Sequence, residues 1–263
     1  ELDARLLGNL LHSVMDMFYN DICTRKKSKL VEPSDLENEE HKILQLIDQA
    51  FRTTYALEAD KAVEYEGQRV VVREVIKRLV LRIIERDKLY APFYVEGLEQ
   101  EGLTARLAIP SQPGYCIISG TIDRVDVKDE LIRIIDYKTG KDDLNFSSVS
   151  LLFEREGKKQ NKAAFQTLFY ALLYKHNLPE GWKHGAFRIM PVLINRMNLF
   201  DEDFEYGLRM NKEILRDATA ILPEFETLLK ALLNELFDPA VPFTQTNRQE
   251  SCQYCPYKSI CSR

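Results

Sequence analysis

The chain has 263 residues, 45% of them hydrophobic and 29% charged, which fits a globular protein of one large domain or two small ones. No apolar run approaches the roughly 20 residues that span a bilayer, and no basic segment followed by an apolar core opens the chain, so neither a membrane protein nor a signal peptide is indicated. A net charge of −5 disfavours phosphate binding, but ten acidic against four basic residues between 201 and 238 carry −6 of it, and the remaining +1 leaves room for a cationic groove elsewhere.

The chain opens on Glu1 and runs at once into a helical pattern, as expected of a piece of a longer polypeptide. Apolar residues at 2, 6, 7, 10, 11, 14, 15 and 18 predict an amphipathic helix from Leu2 to Ile22. Thr24 to Glu40 reads as a polar loop. Helical periodicity resumes from Ile43 to Tyr65, and Gly67 separates it from a further helix ending near Leu89. In that helix Arg69, Arg73 and Lys77, and again Arg78, Arg82 and Arg86, recur every four residues. Such a stripe either touches phosphates or is a solvated face, and the second reading is the commoner one.

Pro92 marks a change of style. Phe93–Glu99, Thr104–Ile109, Tyr115–Val127 and Leu131–Tyr137 are rich in β-branched and aromatic residues, and Lys128-Asp129-Glu130 reads as a hairpin joining the last two antiparallel. A helix at Lys162–His176, a strand at Ala186–Ile194 and a long acidic helix over most of 203–237, interrupted near Pro223, complete the order. One mixed α/β domain follows from it.

The chemistry concentrates in Gly120-Thr-Ile-Asp-Arg-Val-Asp126 and Arg133-Ile-Ile-Asp-Tyr-Lys-Thr-Gly140. Side chains two apart on a strand share a face, so Asp136 and Lys138 project together and Tyr137 projects opposite. Asp123 lies on the neighbouring strand. Two nearby carboxylates repel unless a cation separates them, and Mg²⁺ or Mn²⁺ suits an all-oxygen set that keeps exchangeable water. Spacing alone equally allows an Asp–Lys ion pair at a strand end. Thr139-Gly140-Lys141 is not a phosphate-binding loop, since Ile135 and Asp142 break the pattern, and no Gly-x-Ser-x-Gly element is present.

Gly-x-Ile-Asp-Arg-x-Asp followed by Ile-Asp-Tyr-Lys-Thr-Gly resembles the nuclease motifs of the PD-(D/E)XK superfamily, most closely its RecB-like branch, which includes the nuclease domains of AddB-type helicase–nucleases. Leu7-Gly8-x-x-Leu11-His12, Gln166-x-x-x-Tyr170, the acid-bearing Val95-Glu-Gly-Leu-Glu99 and the ending Cys252-x-x-Cys-Pro-Tyr-x-x-x-x-Cys261 are similar to further markers of that branch. The resemblance implies a restriction-endonuclease-like α/β core, with a mixed central sheet flanked by helices and the active site where the first strands diverge. It makes 1–24 a His-motif helix, 25–90 a helical insertion, 91–195 the catalytic sheet and 196–263 a C-terminal helix with a Cys-rich tail.

It further implies His12, Glu99, Asp123, Asp136 and the Tyr137 carbonyl as metal ligands, with Glu96 competing with Glu99. Lys138 becomes the catalytic lysine, and Gln166 and Tyr170, four apart on one helix face, hold the phosphate or the lysine strand. The expected cofactors are Mg²⁺ or Mn²⁺. Cys252, Cys255 and Cys261 would be three ligands of a [4Fe–4S] cluster in the full-length protein, incomplete or absent in this piece because no upstream cysteine supplies the fourth; Cys116 is expected in the core. DNA and a helicase subunit or domain are the expected partners, in the cytoplasm, in repair and recombination at double-strand breaks. The competing expectation is a catalytically inactive DNA-binding scaffold.

Overall fold

A computed structural model describes residues 4–55, 63–155, 160–182, 186–196, 199–201, 205–247, 249–253 and 255–262. Helix α1 (Ala4–Lys26) opens it, followed by α2 (Glu40–Tyr55) and α3 (Gln68–Tyr90). Strands β1 (Leu30–Val31), β2 (Phe93–Leu107), β3 (Cys116–Lys128), β4 (Leu131–Lys138) and β6 (Arg188–Asn195) build a five-stranded sheet in the order β1-β2-β3-β4-β6. Neighbours are antiparallel except β4 and β6, which are parallel and joined through α4 (Lys162–His176). A small second sheet pairs β5 (Asn145–Phe146) with β7 (Arg209–Met210), and β7 with β8 (Glu213–Ile214). Helix α5 (Leu222–Phe237) packs on α4 through the rings of Phe153, Phe165 and Phe225, whose centroids lie 5.1–5.2 Å apart. This is a mixed sheet flanked by helices, as the motif order predicts.

The mid-chain elements follow their patterns closely, because period and burial agree there. α4 has the predicted bounds, with the Asn161 side chain accepting the Ala164 N–H at its N-terminus. Strands β3 and β4 meet at the predicted turn, where Asp129 takes a φ of 54°. Five expectations differ from the structure. Helix α2 is described to Tyr55, the predicted helical residues 56–62 lie outside the described residues, and 63–66 are not helical. The predicted loop 24–40 contains β1, which borrows the edge of β2, and a 3₁₀ turn at Pro33–Leu36. Phe93–Glu99 and Thr104–Leu107 belong to the single strand β2, carried past two register shifts, and Ile109 lies beyond its end. The acidic helix of 203–237 is confined to 222–237, since Pro223 sits at its start rather than its middle, and the segment before it spends its hydrogen bonds on the small sheet. Cys116, expected in the core, is half-buried at the beginning of β3.

The basic stripe of α3 is spoken for inside the protein. Lys77 pairs with Glu40, Arg73 with Asp48 and Arg78 with Glu74; Arg69 stacks on Tyr55, and Arg82 and Arg86 donate to the Leu199 and Asp201 carbonyls. Exposed pairs of this kind contribute little. Arg78→Ala is therefore expected to shift stability by less than about 1 kcal/mol in urea unfolding.

Candidate active site

The β3–β4 ladder runs from Lys128↔Leu131 to Arg124↔Ile135, and one residue further the strands part. There Asp123 leaves the ladder to accept the Tyr137 backbone N–H with Oδ2 at 2.8 Å. Its Oδ1 is left facing α1, where His12 Nδ1 lies 3.4 Å away. The other ring nitrogen, Nε2, meets the Tyr137 carbonyl at 2.9 Å. The Tyr137 peptide thus holds both side chains, one by its N–H and one by its C=O. Donation from Nε2 to that carbonyl leaves Nδ1 as the nitrogen that faces the acids, the arrangement by which a backbone carbonyl usually orients a metal-binding imidazole.

Glu99 completes this corner. It sits between the two register shifts of β2, with a left-handed φ of 37°, and its Oε1 is 3.6 Å from His12 Nδ1. His12, Glu99 and Asp123 offer ligand atoms all within 4.8 Å of one another. Glu96 turns away to Lys29 at 3.2 Å. Of the two competing acids, the fold brings Glu99 to the histidine.

Asp136 and Lys138 share a face of β4 as the alternation requires. The Lys138 Nζ lies 2.9 Å from Asp136 Oδ1 and 2.8 Å from Oδ2. Asp136 is 1% exposed, and its Oδ2 has no hydrogen bond despite that contact. Burial raises its pKa, repulsion from Asp123 raises it further, and the Lys138 and His12 charges offset part of this, leaving it at about 7. Burial works against the His12 charge as well, but Asp123 and Glu99 outweigh it and raise the ring to about 10. Partial burial opposes the Lys138 charge too, yet Asp136 holds its pKa above the usual lysine value. At neutral pH the site therefore contains an ammonium, an imidazolium and three acids. The surrounding acids favour a proton on His12, and the buried Asp136 Oδ2 has the Lys138 ammonium beside it but no hydrogen bond.

Those features fit a divalent cation: oxygen-rich, one imidazole, and a proton that the ion would replace. The Tyr137 carbonyl already accepts from His12 and has one lone pair left to offer.

Across from Lys138, α4 presents Gln166 and Tyr170, with Gln166 Nε2 donating to the Tyr170 hydroxyl at 2.7 Å. Burial raises the Tyr170 pKa, and the Asp136 and Asp123 charges add to the shift. Gly120 leaves the room for that ring, since a Cβ there would stand 3.1 Å from Tyr170 Cε1. The terminal cysteines behave differently. Cys252, Cys255 and Cys261 form no disulfide, and among the described residues they do not converge as His12, Glu99 and Asp123 do. Among the described residues no fourth ligand joins them, so they do not fit a cluster.

The motif reading left five buried residues without a role. Arg124, Asp126, Arg133, Asp87 and Tyr19 form a charge network on the face of the sheet opposite Asp136, with Arg124 and Asp126 both fully buried. Signals for it exist in the sequence. Asp126 and Arg133 are register partners across the hairpin, and Asp87 falls on the same helical stripe as Ile76, Leu79, Val80, Ile83 and Ile84.

A comparison with curated proteins finds no match. A family model described as the PD-(D/E)XK nuclease superfamily matches residues 1–262. With that match across all but one residue, the chain belongs to the PD-(D/E)XK nuclease superfamily.

Proposed function

We propose that this chain is a Mg²⁺- or Mn²⁺-dependent deoxyribonuclease, acting as an exonuclease within a RecB-like helicase–nuclease that processes double-strand breaks in the cytoplasm. The observation that supports it best is the convergence of His12, Glu99 and Asp123 beside the Asp136–Lys138 pair, where β3 and β4 part. In this reading His12, Glu99, Asp123, Asp136 and the Tyr137 carbonyl hold the ion. The bound cation supplies a Lewis acid for the phosphate and lowers the pKa of a coordinated water.

The remaining work falls to the chain's own groups. Lys138 stays protonated at neutral pH, so it stabilises charge developing on the phosphate and orients the nucleophile by donating a hydrogen bond. The Gln166–Tyr170 pair faces the lysine strand and holds Lys138 or a phosphate oxygen in place. Arg124 and the helices behind β4 keep water from the opposite face of the site. A helicase domain would feed DNA to this corner, and strand polarity would follow from that feeding. The iron–sulfur centre implied by the terminal cysteines is a separate proposal, tested by the iron and acid-labile sulfide content of anaerobically purified full-length polypeptide.

The direct test is degradation of linear DNA with Mg²⁺, with Mn²⁺ and with EDTA. Lys138→Ala is expected to lower the rate by about a hundredfold or more while DNA retention persists. A preparation in which wild type and Lys138→Ala cut alike would remove Lys138 from the chemistry. One that binds DNA but never cuts would favour the scaffold reading.

Metal binding has its own readout. At a hundredfold excess over its Kd, Mn²⁺ is expected to stabilise the fold by about 2.7 kcal/mol, measured by thermal melting, and EDTA to reverse it. Glu99→Gln should shrink that shift, because it removes a carboxylate from the group facing His12. An unchanged shift would place the ion elsewhere.

A further inference from the structure

The candidate ligands are held by one peptide. Tyr137 gives its N–H to Asp123 and its C=O to His12, so the placement of β4 at this residue sets where both side chains stand. What fixes Tyr137 lies on the other face of the sheet. Its hydroxyl accepts Arg124 Nη1 at 2.8 Å. Arg124 is itself immobilised: Nη2 lies 3.0 Å from Asp126 Oδ2 and 2.9 Å from Asp87 Oδ2, and its guanidinium carbon is 4.4 Å from the centroid of the Tyr19 ring.

The network is neutral, although the second oxygens of Asp87 and Asp126 and the Nε of both arginines make no hydrogen bond. Arg124 and Arg133 balance Asp87 and Asp126, Arg133 reaches both acids, and the Tyr19 hydroxyl donates to Asp87 Oδ2 at 2.6 Å. It ties together four elements: α1, α3, β3 and β4. Three of those carry the site, since His12 and Tyr19 are both on α1, Asp123 and Arg124 are adjacent on β3, and Asp136, Tyr137 and Lys138 are consecutive on β4. A charged cluster this deep costs desolvation, and an apolar filling would serve stability as well or better. What an apolar filling could not supply is the directional hydrogen bond from Arg124 to the Tyr137 hydroxyl.

We infer that Arg124 is a positioning residue for the metal site, acting through the Tyr137 hydroxyl to hold the peptide that aligns Asp123 with His12. The inference rests on the functional reading above for what the site binds, but not for how the site is aligned.

The test uses Tyr137→Phe, which deletes the bond to Arg124 and leaves the backbone donor and acceptor in place. A core truncation on α3, Ile83→Val, serves as the control for general loss of stability. In metal-free protein, the ¹⁵N and ¹H resonances of the His12 ring are expected to move in Tyr137→Phe and to stay at wild-type positions in Ile83→Val. The Mn²⁺ dissociation constant measured by calorimetry should rise by about tenfold in Tyr137→Phe, with kcat lowered by a similar factor at unchanged KM. Arg124→Lys, which keeps the charge but not the forked geometry, should behave as Tyr137→Phe does.

If Tyr137→Phe leaves the His12 resonances, Mn²⁺ affinity and kcat at wild-type values, the positioning role is wrong. If wild type neither binds Mn²⁺ nor cuts DNA, the nuclease reading falls. The His12 resonances then still decide whether Arg124 aligns the ring.

Discussion

Asp136→Asn is expected to lower metal-dependent cleavage by at least about a hundredfold and, in the same protein, to raise the stability of the metal-free fold. Both effects follow from one carboxylate, 1% exposed, whose pKa burial and Asp123 push up from 3.8 to about 7. The sign follows from linkage. Between about pH 4 and pH 7 the folded state keeps a proton on Asp136 that the unfolded chain has lost. Stability therefore falls as pH rises through that window, and the loss is complete above pH 7.

A displacement of that size corresponds to roughly 4 kcal/mol at most. Burial is the largest cause and repulsion from Asp123 the next, and neither acts on a neutral amide. Lys138 loses its partner in the variant, but it is 23% exposed and can turn to water. Denaturant titrations in EDTA at pH 4, 5.5 and 7.5 check this. Wild type should weaken across the series relative to Asp136→Asn, and parallel pH profiles for the two proteins would show that no strained carboxylate is held there. Mn²⁺ should reverse the order, since only the carboxylate offers the ion a charge to neutralise.

The second large effect lies on the other face. Arg124→Met removes a fully buried guanidinium and leaves Asp87 and Asp126 with Arg133 alone. Breaking a buried ion cluster from one side typically costs about 3–5 kcal/mol, because the uncompensated charge stays behind. The expected result is a large drop in the urea midpoint with an unchanged m-value, or loss of soluble protein altogether. Arg124→Met with Asp126→Leu, which takes out one charge of each sign, should recover much of the loss. A single variant within about 1 kcal/mol of wild type would mean that Arg124 carries no structural load. This contrasts with Arg78 on α3, whose pair with Glu74 is exposed and nearly neutral in energy.

Residue types and their periods were enough for the elements near the site. The alternation of β4 put Asp136 and Lys138 together and Tyr137 opposite, and the four-residue spacing of α4 paired Gln166 with Tyr170. These rest on local geometry that a strand or helix imposes whatever surrounds it. The chain order of motifs likewise carried the family, since acids, lysine and histidine are read along one dimension. Where periodicity met competing demands, it misled. The acidic stretch before Pro223 has helical composition, but its backbone is claimed by the pairing of β5, β7 and β8. The predicted loop contains β1 because the edge of β2 was open to it.

The sequence favoured Glu99 over Glu96 as the upstream acid, but only the tertiary structure shows why Glu99 faces His12. Two register shifts in β2 rotate one acid toward His12 and leave the other with Lys29, and a bulge is set by the partner strand rather than by the residues that form it. The same holds for the Arg124 network. Asp87, Tyr19 and Arg133 are 37 or more residues from Arg124, or on a different strand, and their charges are tolerated in the core only because folding brings opposite signs into contact. What a chain can state by itself is which side chains share a face. Which faces meet, and so which charges cancel and which remain for an ion, is settled when distant segments close on one another.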